Sequence, residues 1–333
     1  MKIARFTFPR FTLWVSCLLM VSMLLSACGS ATPAPAVPAA NAPAKLSGTI
    51  SASGAFALYP MMTRWSEEFQ KLYPDVQFDV SGGGAGKGMT DALSNAVDIG
   101  MVSRSVKPEE VAKGAYSVGV VKDAVFPVVS ANNPVLADIL AKGISKEIFA
   151  KIFLTGEIKT WGEVVGKPEN KDEIHVYTRS DAAGAADVWA QFMGGKAQAD
   201  IKGIGVNADP GLLDAVIKDP LGIGYNNLGY AFDLSTGKLP IGAQVVPVDA
   251  NGNGKADAEE VIDTLIKATD AVANGKYPSP PARVLNFVTK GKPSALVQTF
   301  IQWVLTDGQK FIPEAGFVAL TPDQLAESLA KVK

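Results

Sequence analysis

The chain has 333 residues, with 31 Lys and Arg against 33 Asp and Glu and a formal charge of -2. A balance this even, with no basic stripe, leaves no electrostatic footprint for nucleic acid. One histidine and two cysteines give His-based triads and His/Cys metal sites little to work with.

Lys2, Arg5 and Arg10 form a basic leader, and residues 11–27 are an uncharged apolar run. That run is a little short for a bilayer span, which needs about 20 residues. It ends in Leu25-Ser26-Ala27-Cys28, which resembles the bacterial lipobox. The expectation is a lipoprotein signal over residues 1–27, with Cys28 diacylated as the new N-terminus. An ordinary signal peptide and an uncleaved anchor are the plainer alternatives. Cys17 leaves with the leader, so the exported protein is expected to carry no disulfide. Residues 28–45, mostly Ala, Pro, Thr, Val and Asn without a periodic apolar face, read as a disordered tether to the membrane.

The folded part opens with an extended stretch at 48–52 and a turn, Ser53-Gly54-Ala55-Phe56. A helix is expected over 61–72, where Trp65, Phe69 and Leu72 share one buried face. An extended 76–80 then runs into the glycine cluster 81–88, a helix over 88–95, and Val97-Asp98-Ile99-Gly100 followed by Ser103 and Arg104. This βαβ rhythm lines helix N-termini along one edge of a parallel sheet, where N–H groups and helix dipoles favour an anion. Lys87 in the glycine cluster does not make a P-loop. Ser81 stands where the first glycine belongs, and Gly88 where Ser or Thr must hold magnesium.

Further strands are expected at 124–130, 174–178, 222–226, 244–248 and 284–289, with helices over 258–274 and 294–305. Interleaving of this kind argues for an α/β fold. Residues 124–130 run into Asn132, Asn133 and Pro134, and 222–230 contain Asn226, Asn227 and Gly229. Both read as crossings between lobes. The expected organisation is a clamshell: a first lobe of 46–130 and 230–333, a second of 131–229, and a ligand between them.

The second lobe repeats the strand–turn–helix plan in Tyr177-Thr178-Arg179-Ser180-Asp181, with Gly184 after it. Arg179 supplies a rigid two-pronged donor, and Ser180 either caps the helix or touches the anion. Taken alone, that segment reads better as a helix cap beside a surface arginine; the glycine turns of the first lobe reverse the preference. Asp98 has its own logic. A buried carboxylate repels a fully ionised anion yet accepts a hydrogen bond from a protonated one, which favours phosphate or arsenate over sulfate. The plainer reading is a turn cap ahead of a buried strand. His175 is expected to be packed rather than catalytic.

In order along the chain, these segments resemble the phosphate-binding proteins of bacterial ABC importers. The resemblance also takes in Gly222-Ile223-Gly224-Tyr225, residues 277–283 from Tyr277 to Arg283, and residues 303–309 from Trp303 to Gln309. It implies a two-lobed periplasmic-binding-protein (Venus-flytrap) fold with two hinge strands. It further implies a monomeric, non-enzymatic, extracytoplasmic receptor, lipid-anchored to the cell membrane, that delivers inorganic phosphate to importer transmembrane subunits without a required cofactor. By position, Ala55 and Phe56 would offer backbone N–H groups and Asp98 would accept the ligand's proton. Arg179 would pair with its charge, and Ala183, Gly184 and Ala185 would cradle it. Ser53, Gly84, Ser103, Arg104 and Ser180 complete the candidate set. The family usually has hydroxyl residues where this chain has Ala55, Ala183 and Ala185. That departure keeps molybdate, tungstate or sulfate open as ligands, with a secreted phosphatase as the reading from another class.

A second pattern is sharper. Asp249, Asn251, Asn253, Gly254, Lys255, Asp257 and Glu260 match the EF-hand calcium loop. Five of them would give side-chain oxygens and Lys255 a carbonyl. The preceding stretch reads as strand, so the expectation is an isolated structural calcium loop, with an Asn/Gly turn as the alternative.

Overall fold

The computed structural model describes residues 46–333. Eleven strands among them carry the architecture: β1 (Gly48–Gly54), β2 (Val76–Gly82), β3 (Ile99–Val102), β4 (Ala115–Ser130), β5 (Ile144–Ser145), β6 (His175–Arg179), β7 (Ile204–Val206), β8 (Gly222–Asn227), β9 (Ala243–Val245), β10 (Val248–Asp249) and β11 (Ala282–Lys290). Nine form one sheet in the order β2-β1-β3-β11-β4-β8-β6-β7, with β9 also on β4, while β5 and β10 pair apart. β1 runs parallel to β2 and β3, and β6 runs parallel to β7 and β8. β11 is antiparallel to both β3 and β4.

β4 is the spine. Its residues from Ala115 to Ala124 pair with β11, and Val125 to Val129 pair with β8. One nearly continuous apolar run thus serves two half-sheets, as a strand covered on both faces should. Each half-sheet has its own core. The first gathers Trp65, Phe69, Met101, Phe287 and Phe300, and the second gathers Phe149, Phe153, Trp189, Tyr225 and Phe232. The expected helix forms as Tyr59–Leu72; Trp65 and Phe69 are fully buried, but Leu72, expected on the same buried face, is exposed at the last position.

The chain leaves the first lobe once, along β4. It does not return near 230: Phe232, Val245, Val248, Ala268 and Tyr277 all pack in the second core. The return runs through 277–282, where the Tyr277 hydroxyl donates to the Val125 carbonyl at 2.7 Å. The expected second crossing at 222–230 is therefore corrected. Asn226 and Asn227, read as hinge punctuation, are buried within the second lobe. The helix expected over 258–274 is Leu265–Ala273 alone, capped by the Thr264 hydroxyl, and the one expected over 88–95 starts earlier, as Ala85–Leu93. Among the described residues no helix is long and apolar enough to cross a membrane. The leader, tether and Cys28 lie outside the described residues.

Candidate functional site: the cleft between the half-sheets

The carboxyl ends of β1, β2 and β3 face those of β6 and β8 across a cleft, the edge where open α/β sheets hold ligands. On the second-lobe side, β6 ends at Arg179, which is 4% exposed. Its Nε and Nη2 donate to Asp181 at 2.8 and 2.5 Å, and its Nη1 donates to Asp209 at 2.5 Å. Asp209, fully buried, also accepts the backbone and side-chain amides of Asn227 at 3.1 and 2.7 Å. Three of the five guanidinium N–H groups are thus committed, which leaves two. From the first lobe, the Phe56 ring lies 5.5 Å from the guanidinium carbon, in cation–π range.

The lobes touch directly. The Gly86 N–H donates to the Ala182 carbonyl at 2.9 Å, and the Tyr230 hydroxyl donates to the Phe56 carbonyl at 3.2 Å. Two glycines permit this approach. Gly84 has φ +86°, and a β-carbon there would sit 2.7 Å from both the Ala182 carbonyl and the Asp181 carboxylate. A β-carbon on Gly184 would sit 2.4 Å from the Ser103 hydroxyl. Both contacts need glycine.

Behind the cleft, at the β4 crossing, Asp123 is fully buried 3.1 Å from the Arg283 guanidinium and accepts the Leu228 N–H at 3.2 Å. Burial pushes its carboxyl up to about 6, against the opposing pull of Arg283. Burial likewise lowers Arg283, whose Nε donates to the Ser103 carbonyl at 3.1 Å and whose Nη2 donates to the Asn227 side chain. Bonded polar side chains, four charged and one the neutral amide of Asn227, therefore run unbroken from crossing to cleft: Asp123, Arg283, Asn227, Asp209, Arg179.

A family model described as a PBP superfamily domain matches residues 39–308. The chain belongs to that superfamily. The phosphate-binding protein PstS of Bacillus subtilis (strain 168) is 27% identical over 303 residues, covering 90% of each chain. PstS of Methanocaldococcus jannaschii is 28% identical over 322 residues, covering 78% of this chain and 79% of its own. Among solved structures, a putative phosphate ABC transporter substrate-binding protein with bound phosphate from Clostridium perfringens superposes with a TM-score of 0.66 at 23% identity. It covers 82% of this chain and 100% of its own. An ABC-type phosphate transport receptor from Vibrio cholerae gives 0.59 at 18% identity, over 81% and 100%. These likenesses show the PBP fold, the two-lobed α/β architecture expected from the sequence.

The structure brings some of the expected residues together at the cleft and not others. Phe56, Gly84, Ser103, Arg179, Ala183, Gly184 and Ala185 gather at the cleft edges. Asp98 does not. It is exposed at the amino end of β3, where it accepts the Ser51 N–H and hydroxyl at 2.8 and 2.7 Å. Five residues of extended chain, about 16 Å, separate it from Ser103. Its carboxylate is a turn cap, and the carboxylates beside Arg179 are Asp181 and Asp209. The Ala55 N–H is already given to the Met101 carbonyl, and the Ala183 N–H to the Gln198 side chain, both at 2.9 Å. The Ser53 hydroxyl turns to Asp91 at 2.6 Å. Ser180 is exposed and caps nothing, because the Gly184–Met193 helix has Ala183 at its N-cap. Arg104 is gripped by Glu110 and Asp187. His175 bonds to Asp219 at 2.7 Å, away from the cleft.

The Asp249–Glu260 segment is one hydrogen-bonded loop after β10. Asp249 accepts the Asn253 and Gly254 N–H groups at 3.1 and 2.9 Å, and Glu260 accepts those of Ala250 and Asp257 at 2.8 and 3.0 Å. The amides of Asn251 and Asn253 both donate to Asp257. Among the described residues no group of three or more His, Cys, Asp or Glu is arranged to hold a metal ion.

Proposed function

We propose that this chain is an extracytoplasmic solute-binding protein that captures inorganic phosphate between its lobes and delivers it to an ABC importer. One observation carries the reading: a buried arginine at the carboxyl end of β6, directly ahead of the Gly184–Met193 helix, is faced by the other lobe. Relatives of similar length that are named phosphate-binding proteins support it. The two uncommitted Arg179 donors and the first-turn N–H groups of that helix, which have no partner inside it, would hold the anion. Asp181 and Asp209 leave the pocket without excess positive charge. A ligand that brings its own proton is therefore favoured over a fully ionised one. Capture closes the lobes because the Phe56 N–H, at the start of a short first-lobe helix, would join the second-lobe donors only in the closed state.

Ala55, Ala183 and Ala185 remove three hydroxyl donors, and this observation favours a second reading in which another oxyanion, such as molybdate or tungstate, is the ligand. Native mass spectrometry of the purified protein tests both. Co-purified phosphate supports the first reading, and a molybdate or tungstate adduct replaces it with the second. A secreted phosphatase would need a nucleophile or activated water at Arg179. Phosphate released from a phosphomonoester and lost on Arg179→Ala would establish one.

The receptor is proposed to act as a monomer anchored by lipid on Cys28. Loss of membrane attachment in Cys28→Ser is the expected result, and unchanged attachment would refute the anchor. Calcium in the Asp249–Glu260 loop remains a proposal that rests on the sequence pattern. Chelation should lower the melting temperature, and Glu260→Gln should remove that response. Identical melting curves with calcium and with chelator would make the loop a turn only.

A further inference from the structure

Arg104 sits at the cleft yet is turned away from Arg179. Its Nη1 and Nη2 donate to Glu110 of its own lobe at 2.8 and 2.7 Å. Its Nε points across the seam to Asp187 in the Gly184–Met193 helix, at 3.3 Å. The pair is mostly buried, at 8% and 15% side-chain exposure. Each member is fixed within its own lobe: Arg104 by Glu110, and Asp187 by the Gln198 N–H at 2.9 Å. Little side-chain freedom is therefore lost when they meet, which is the usual weakness of ion pairs.

Gln198 links this pair to the ligand loop. Its side-chain amide donates to the carbonyls of Arg179 and Asp181 at 2.8 and 2.7 Å, and its Oε1 accepts the Ala183 N–H at 2.9 Å. A pull on Asp187 is thus passed to both ends of the turn that carries Arg179.

We propose that Arg104 and Asp187 form a closure latch, with Gln198 as its relay to the Arg179 turn. Arg104 is a positioning residue that raises ligand affinity by stabilising the closed state without touching the ligand. The proposal rests on the reading of the cleft as the ligand site, but the latch itself is testable without any ligand. The Gly86 N–H lies in the first turn of the Ala85–Leu93 helix, has no partner inside that helix, and bonds across the seam to Ala182. Its exchange with solvent deuterium therefore reports separation of the lobes.

Hydrogen exchange on the full-length protein in detergent would compare wild type, Arg104→Gln, Asp187→Asn and the double variant, with no ligand present. Each single variant should speed exchange in the peptide spanning 84–88 by roughly tenfold, the scale of one well-placed charge pair. The double variant should add nothing, and peptides of β4 and the two cores should stay unchanged. Wild-type exchange in both single variants, or additive effects in the double, would overturn the latch. If one variant unfolds, the core peptides reveal it and the variant on the opposite lobe still decides. Phosphate titration of the same proteins should show a matching loss of affinity. A wild type that binds no phosphate defeats the functional reading, whereas the exchange result stands independently of it.

Discussion

Removing Arg179 should damage folding as well as binding. The guanidinium is the common partner of two carboxylates, Asp181 at 10% side-chain exposure and Asp209 at 0%. Breaking a buried ion pair by deleting one partner costs about 3–5 kcal/mol, because the other charge is left uncompensated. Here two charges are left, but each keeps donors: Asp181 the Ala208 N–H at 3.0 Å, and Asp209 both amides of Asn227. The lower end, about 3 kcal/mol, is therefore expected for Arg179→Ala, a large share of the ~5–15 kcal/mol that holds a typical domain. Urea unfolding followed by tryptophan fluorescence should show the midpoint fall with an unchanged slope. Arg179→Lys keeps a charge between the carboxylates but loses the fork, so it should retain most of the stability. It should still lose roughly ten- to a hundred-fold in phosphate affinity, the weight of a charge-assisted bond to a buried anion. An Arg179→Ala protein that unfolds at the wild-type urea concentration would refute the reasoning. The two carboxylates could not then depend on this guanidinium.

Three further outcomes are expected. Asp98→Ala should cost about 1 kcal/mol of stability through the lost Ser51 bonds while leaving phosphate affinity within about twofold by calorimetry; a large affinity loss would return Asp98 to the site. Gly184→Val should bar closure against Ser103, so that phosphate no longer compacts the protein in small-angle scattering; wild-type compaction would contradict the close approach. Asp123, with its folded carboxyl raised to about 6, binds more protons folded than unfolded between pH 4 and 6. Its contribution is thus fully present at low pH and is lost as pH rises through about 6. A shift of about two units corresponds to about 3 kcal/mol. The stability difference between wild type and Asp123→Asn should fall across that window, and a difference independent of pH would refute the raised value.

Much of the first half-sheet was legible in the sequence because its signals are local. The Trp65 and Phe69 face, the extended 76–80 and the glycine cluster each declare themselves within a dozen residues. Arg179 was legible for the same reason, since a strand, a polar turn and a helix follow in order around it. Asp98 was misplaced although the information was present. It precedes the buried Ile99–Val102 strand, and a residue at the amino end of a parallel strand stands opposite the ligand edge. The misplaced second crossing has a different cause. Asn226 and Asn227 look like loop punctuation, but Asp209 and Arg283 give them buried partners that only the tertiary fold supplies. Asp209 and Gln198 were missed because their partners lie 30 and 19 residues from them in sequence. Asp123 did leave a signal, a lone carboxylate inside the apolar run of β4, which calls for a buried partner such as Arg283.

Capture of a protonated oxyanion in this cleft is decided by titration calorimetry of the full-length protein with phosphate and with sulfate, at pH 7 and equal ionic strength. Saturable one-to-one phosphate binding with no measurable sulfate binding is the predicted result. Equal binding of sulfate, or no heat with phosphate, would contradict it.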